Sequence, residues 1–426
     1  MPQDYLKCRN KIQWSQVIGE LVIFLILPSI IGLPLIIIRA FQYSSNNNMI
    51  ATSHMAFIVC VAAYFATINA TKMPGGDQLQ YWAAYMNVPK VGFINSLTYI
   101  YGFDLDTETK GISGEFMNGV YNYIGYYITF GYYPLYAALL TFANYILIFL
   151  GLYKFTKTLK KPHIPLVCGV LILSFFYLYF QYLLQIQKQF LAQSIMMYVL
   201  GSYAFSGKMG KKEWIMAACA IFTHAATTLF LPFLIFKPLR RRLTKIGFLW
   251  LGILFSILII IGPQLAGNLA SSMGDSALLY GANRLAQSEI NNDMEFGLVW
   301  SQVFVIALPM AWIVLRKLWT ERKTLEQSHA FILNVVLLLL LTVVAMFKQP
   351  LAQYRYFMML FAFMPFIYPF ICKNMQHRDT ILKIIAGIMI IWFYYQFDKI
   401  VWHYAPEMDI IIKSPILLLF GNYYTI

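Results

Sequence analysis

At 426 residues, 60% hydrophobic and only 12% charged, the chain carries about half the charge of a soluble domain, where about 25% is usual, and a water-soluble fold is excluded. Its formal net charge of +14 does not point to nucleic acid, because Lys and Arg gather in short loops between apolar runs, the pattern that sets membrane orientation. The cysteines Cys8, Cys60, Cys168, Cys219 and Cys372 lie in or beside apolar runs without close pairing, which argues against both a disulfide framework and a zinc site.

A helix needs about 20 apolar residues to cross a bilayer, and the chain supplies roughly ten such stretches. The expected fold is all-α: one polytopic integral membrane domain over residues 1–426, with about 11–13 transmembrane or half-membrane helices. The first run, 15–38, is too long for a cleaved signal peptide and lacks a small-residue cleavage site. Lys7, Arg9 and Lys11 ask for a cytoplasmic start, yet the long loop 71–130 is expected outside, and runs 15–38 and 51–70 give an even number of crossings. Two arrangements restore parity: Pro28, Gly32 and Pro34 break the first run into a re-entrant element, or the N-terminus lies outside.

Loop 71–130 should hold a helix. After Pro74-Gly75-Gly76, a turn signal, Asp77, Tyr81 and Tyr85 recur every fourth residue and so share one helix face. A carboxylate beside aromatic rings suits sugar recognition and proton abstraction from a hydroxyl; the competing reading is an Asp that caps the helix. The acidic stretch Asp104 to Glu115 reads as a solvated loop, with a lid over a site as the alternative.

Five basic loops, 154–161, 208–212, 237–245, 316–323 and 373–378, are placed in the cytoplasm. Between them, 164–181 goes out and 189–206 returns, 246–263 and 297–315 flank a second outer loop at 264–296, 328–346 pairs with 356–371, and 380–397 leads to an outer tail. The stretch 213–236 has the length of one span but lies between two basic loops. A hairpin of two half-helices turning near Thr223-His224 resolves the conflict, since non-helical backbone is tolerated at membrane depth where it lines a protein-buried or wet cavity. The alternative is a single span with one basic loop outside.

The cations Lys72, Lys188, Arg284, Lys348 and Arg355 fall at the outer ends of these spans. Such residues are either snorkelling anchors or functional groups. Lys188 lies among Gln181, Gln185, Gln187, Gln189 and Gln193, and the four-residue spacing of 181, 185, 189 and 193 predicts a helix stripe facing a wet cavity. Arg355 is flanked by Tyr354 and Tyr356. Cations converging on one leaflet suit a phosphate or diphosphate. His224 is the one histidine placed in mid-membrane, and either packs as a satisfied core residue or acts in chemistry. HExxH, a phosphate-cradling glycine loop and GxSxG in a strand–helix context are all missing, which disfavours metal- and nucleotide-driven chemistry.

Four elements occur in this order on one expected face: Gly76-Asp77-Gln78-Leu79-Gln80-Tyr81, Lys188-Gln189-Phe190-Leu191-Ala192, Phe222-Thr223-His224 and Tyr354-Arg355-Tyr356. Over about residues 50–375 the chain thereby resembles EpsG-like proteins, which are similar to Wzy-type polymerases of bacterial surface polysaccharides. It departs from them at Lys72 and Lys188, where the family usually has Arg; Lys keeps the charge and loses the planar fork. The resemblance implies a GT-C-like glycosyltransferase of the bacterial inner membrane that needs no cofactor. It would join oligosaccharide repeat units carried on polyprenyl diphosphate at the outer leaflet. Asp77 would be base or acceptor anchor, His224 a sugar-orienting or proton-relaying group, and Arg355 the third catalytic residue. Lys72, Lys188, Arg284 and Lys348 would join Arg355 on the diphosphate, and Tyr81, Gln185, Gln189 and Tyr354 would hold sugar. Its partners would be the lipid-linked oligosaccharide, membrane lipid and a chain-length regulator, with no nucleic acid. The rivals are a flippase of the same lipid, an O-antigen ligase-like transferase and an O-acyltransferase. A flippase would more often show an internal repeat, and none is evident here.

Overall fold

The computed structural model describes residues 12–42, 47–98, 115–250, 252–253, 300–346, 350–400 and 402–424. Arg284, Lys348, the loop 264–296 and the acidic stretch before Glu115 lie outside the described residues. The described residues are helical almost throughout and include no strand. Among them, five helices are long and apolar enough to cross a membrane, within Met49–Ala70, Tyr133–Thr156, Trp300–Thr320, Gln327–Ala345 and Met375–Phe397. The chain is therefore an all-α polytopic membrane protein.

The N-terminal run is broken where the prolines predict. Helix α1 (Trp14–Ile26) ends at Leu27, and α2 begins at Ser29 and runs to Phe41; a residue preceding proline is pushed out of helical geometry. The two helices are tied by the Arg39–Glu20 ion pair at 2.9 Å. Both open ends lie at the basic-loop end of the bundle. The Gln13 N–H donates to Thr52 near the start of α3 (Asn47–Ala70) at 3.1 Å, and the Phe41 carbonyl meets the His163 ring at 3.4 Å. At 13 residues each, about 20 Å, they form a hairpin, the shape that the first of the two N-terminal arrangements calls for.

Helices α4 (Asp77–Met86), α5 (Val88–Thr98) and α6 (Met117–Ile128) follow at the opposite end, and α7 (Tyr133–Thr156) returns through the bundle. The run expected as one span over 164–181 is instead α8 (His163–Ser174), a break at Phe175-Phe176, and the short α9 (Tyr177–Tyr182). Next comes α10 (Gln187–Ser206), buried over nearly its whole length. It packs on α7 backbone to backbone: a Cβ on Gly151 would stand 2.6 Å from the Met197 carbonyl oxygen. Without a hydrophobic drive between helices in lipid, such small-residue contacts are what hold membrane helices together.

Residues 211–240 form the hairpin. Helix α11 (Lys211–Thr223) begins beside Tyr198, whose ring lies 5.1 Å from Lys212, and ends at His224, whose backbone is extended. A 3-10 stretch, Ala225–Phe230, and α12 (Leu231–Ile235) lead back until Arg240 donates to the Tyr203 hydroxyl at 3.1 Å. Both ends thus meet the same end of α10. Thirteen α-helical residues rise about 20 Å. The tighter 3-10 winding advances about 2.0 Å per residue, so the shorter return leg covers a similar distance.

Helices α13 (Trp300–Thr320), α14 (Gln327–Ala345), α15 (Pro350–Met359) and α16 (Met375–Phe397) complete the bundle. The span expected at 356–371 breaks into the end of α15, 3-10 turns at Phe361–Phe363 and Tyr368–Phe370, and a short helix between them, because Pro365 and Pro369 supply no N–H to a continuous helix. The Arg316 guanidinium satisfies the carbonyls of Phe370 and Ile371 at 2.6 and 3.0 Å. The segment 402–424 then folds back over the end of α3. The Met73 N–H donates to the His403 carbonyl, the Ala405 N–H to the Thr71 hydroxyl, and the Tyr424 hydroxyl to the Ala70 carbonyl, at 2.9, 3.1 and 3.1 Å.

The hairpin makes a testable demand. With the native cysteines replaced by alanine, Lys208→Cys and Arg241→Cys should react with an impermeant maleimide from the same side of the membrane. Labelling from opposite sides would mean that 211–240 is a single span.

Candidate functional site

The site is organised by the connection between α9 and α10, residues 183–189. Its polar side chains reach three sequence-distant segments: the start of α4, residues 115–118 and α15. Gln185 Oε1 accepts from the Gln78 N–H in the first turn of α4 at 3.4 Å. Gln187 Nε2 donates to Asn118 Oδ1 of α6 at 3.5 Å, Lys188 reaches Glu115, and Gln189 Nε2 donates to the Arg355 carbonyl of α15 at 2.7 Å. A turn further on, Gln193 Nε2 donates to the Met359 carbonyl, where α15 ends in 3-10 winding. The expected glutamine stripe is thus corrected. Gln181 belongs to α9, Gln185 to the connection, and Gln189 and Gln193 to α10, where they hold α15 rather than line an open face. Each still keeps unused capacity: Gln185 Nε2 and the Oε1 atoms of Gln187, Gln189 and Gln193 are buried without a hydrogen-bond partner among the described residues. Such atoms are accounted for by water or a polar ligand.

Glu115 is the centre of a charged cluster. Its Oε2 lies 3.3 Å from Lys188 Nζ, while its Oε1 accepts from the Ala225 N–H at 3.1 Å and stands 3.9 Å from His224 Nε2. The His224 Nδ1 accepts from the Ala226 N–H at 3.2 Å, so the imidazole proton sits on Nε2, the nitrogen facing the carboxylate. The hairpin tip that carries His224 is fixed from α6, whose Tyr121 hydroxyl shares a hydrogen bond with Thr223 at 3.1 Å. Burial pushes the Glu115 carboxyl up, but its electrostatic interactions with His224 and Lys188 and the Ala225 N–H outweigh it and hold it below the usual carboxylate range. Lys188 is 3% exposed and meets Glu115, which makes it an anchor of the cluster.

Arg355 is different. Its side chain is half-buried, and its Nε is buried without a partner among the described residues. A cation at membrane depth with a donor in hand is costly unless something anionic or polar meets it. Tyr354 beside it packs near Tyr182 and Phe357, with ring centroids 6.2 and 6.3 Å away, which makes it a wall.

Asp77 opens α4, exposed, and makes no capping bond; Gly76 is the N-cap. Its carboxylate therefore stands free among the described residues at the positive end of a helix dipole. Gly76 has φ +53, and a Cβ there would lie 2.9 Å from the Trp402 ring and 3.2 Å from Gln185 Oε1, so only glycine fits this turn. Tyr81 and Tyr85 are buried, and Tyr85 stacks on Tyr136 with centroids 4.6 Å apart. The face they share is a packing face, and Asp77 is its one open position.

Lys72, expected on the diphosphate, is enclosed. It is 0% exposed, donates to the Gln181 carbonyl at 3.0 Å, and lies 5.1 and 5.8 Å from the ring centroids of Trp402 and Tyr404. Burial pushes its ammonium well below the usual lysine range. It braces the turn before Asp77 from beneath. Glu115 and Trp402 were not singled out by the sequence reading. Glu115 is the last acid before an aromatic helix, a weak signal, and Trp402 has none beyond being an aromatic in a polar tail.

The class defined by this fold and site is a polytopic α-helical membrane protein with a buried charged cluster at the end away from its basic loops. Residues 91–411 match the EpsG family, about three quarters of the chain, and the chain belongs to that family. Membership points to a polysaccharide polymerase-like role for a membrane protein acting on a lipid-linked sugar. The match takes in Glu115, Lys188, His224, Tyr354 and Arg355 and begins after Lys72, Asp77 and Tyr81, which stand on the structure alone. No curated protein and no solved structure matches the chain.

Because the folded state lowers the Glu115 pKa, the cluster contributes stability above the ordinary value of 4.5 and loses it as the pH falls through the folded value. In detergent, thermal unfolding of the native protein should steepen its pH dependence below pH 4.5, and Glu115→Gln should flatten that limb. An unchanged acid limb in Glu115→Gln would remove Glu115 from the account.

Proposed function

We propose that this protein is a polysaccharide polymerase of the bacterial inner membrane, joining oligosaccharide repeat units carried on polyprenyl diphosphate at the outer leaflet. What carries the reading is the convergence of three sequence-distant segments, the start of α4, residues 115–118 and α15, on residues 185–189, at the end of the bundle away from the basic loops. If Lys and Arg mark the cytoplasmic side, that end faces outward.

In the reaction, the hydroxyl of one lipid-linked unit attacks the anomeric carbon of the growing chain. The bond from that carbon to the lipid diphosphate breaks, the diphosphate leaves with the electron pair, and the hydroxyl proton passes to a base. Arg355 suits the leaving group, because its unpartnered guanidinium Nε is a fixed donor where negative charge develops. Asp77 suits the base, being an ionisable carboxylate with no capping bond to break. Glu115, Lys188 and His224 serve as a positioning cluster. They fix the α9–α10 connection that ties the Asp77 turn, through Gln185 and Gln78, to Arg355, through Gln189. The unused amide atoms of Gln185, Gln187 and Gln189 offer both donor and acceptor to sugar hydroxyls.

Deleting the gene should abolish the polymer ladder of the surface polysaccharide on a gel and leave single repeat units. Restoring it with Arg355→Ala, at normal membrane abundance, should lower polymer by about a hundredfold. Full-length ladders from Arg355→Ala would sink the leaving-group assignment, and intact ladders in the deletion strain would sink the polymerase reading.

A further inference from the structure

At the other end of α10, the structure assigns a binding site for the phosphodiester of an anionic phospholipid in the cleft over Tyr198, formed by Lys154, Lys157 and Lys212. Lysines at the basic ends of spans ordinarily snorkel outward. Lys154 does the reverse. Half-buried near the end of α7, its ammonium donates to the Tyr198 hydroxyl at 2.8 Å and the Ser202 hydroxyl at 2.6 Å, and sits 4.2 Å from the Tyr198 ring centroid. Lys212 of α11 approaches the same ring to 5.1 Å, and Lys157 is held 4.1 Å from the centroid of Tyr153. Helices α7 and α11 thus bring their cations to one phenol on the α10 between them.

None of these three lysines is ion-paired among the described residues. The neighbouring carboxylate, Glu213, is spent on the Gly210 N–H at 3.1 Å. Two hydroxyls occupy two of the three donors of Lys154 and Tyr198 also meets Lys212, which leaves one donor on Lys154 and others on Lys212 and Lys157 for an incoming oxygen. Cations without an ion-pair partner, two of them on one phenol, call for an anion. A phosphodiester supplies one charge and two acceptor oxygens. Beside them Phe205, Trp214 and Ile215 are exposed, Ile215 at 64%, an apolar surface suited to acyl chains. A zwitterionic lipid would bring its own ammonium against three lysines, so the site should select net negative headgroups.

The test is native mass spectrometry of the purified full chain with equal amounts of phosphatidylglycerol and phosphatidylcholine. One phosphatidylglycerol per chain should survive detergent removal, and Lys154→Gln with Lys212→Gln should weaken its retention by about tenfold or more. Lys160→Gln with Lys161→Gln, which removes equal charge from the adjacent loop, should leave it unchanged. Should the first pair fail to fold, Lys212→Gln alone, at an exposed position, should still lower retention several-fold. Equal retention of the two lipids, or equal loss from both lysine pairs, would reduce the effect to general surface charge and overturn the site. Displacement of the lipid by millimolar inorganic phosphate would overturn the phospholipid as its ligand in favour of a free anion.

Discussion

The structure depends on one constraint: a polar connection between two helices has to be satisfied where bulk water is scarce. Residues 185–189 bring three glutamines and a lysine into the packed interior, and leaving such groups unpaired costs free energy on the scale of whole-protein stability. Each finds a partner, so the cost of burying them becomes the force that gathers α4, residues 115–118 and α15, and through Glu115 the 211–240 hairpin. The apolar bundle supplies area; the polar connection supplies register. The close approach at Gly151 then sets the depth of α10, and with it the place where all the other elements meet.

The charges inside this frame divide into two kinds. Lys188 and Glu115 are committed to each other and to the hairpin tip, and Lys72 is sealed beneath Trp402 and Tyr404. Removing one partner from such a buried pair costs far more than the pair itself contributes, which suits groups that hold position. Arg355 and Asp77 keep capacity unspent, one a donor and the other an acceptor. In the proposed reaction this division would serve a preorganised site, since a group that must first break its own contacts does so at the expense of the barrier.

Much of this was legible in the sequence wherever the signal was local. Basic loops flanking 213–236 suggested a hairpin over a single span, and the backbone turns at His224. Pro28 marked the break between α1 and α2. Lys188, His224 and Arg355 stood out because polar residues are expensive in apolar surroundings, and all three lie at the convergence. What failed was reading through a break: a four-residue period from Gln181 to Gln193 presumes one continuous helix, and the chain leaves helical geometry between Tyr182 and Gln187. Glu115 and Trp402 failed for another reason. Their roles come from contacts with residues dozens to hundreds of positions away, Glu115 with Lys188 across 73 residues, and no periodicity announces a contact of that range.

The fold-back of 402–424 bears on how the protein is made. The Thr71 hydroxyl waits for the Ala405 N–H, 334 residues later in synthesis, and Trp402, which covers Lys72 and Gly76, arrives at the same late stage. Until then the Lys72 ammonium has only the Gln181 carbonyl, and an uncovered cation at the rim of a bilayer turns towards water. The turn that presents Asp77 is therefore among the last parts of the bundle to settle. Insertion of the spans comes early and the chemistry late, so a nascent chain crosses the membrane well before it is able to act on it.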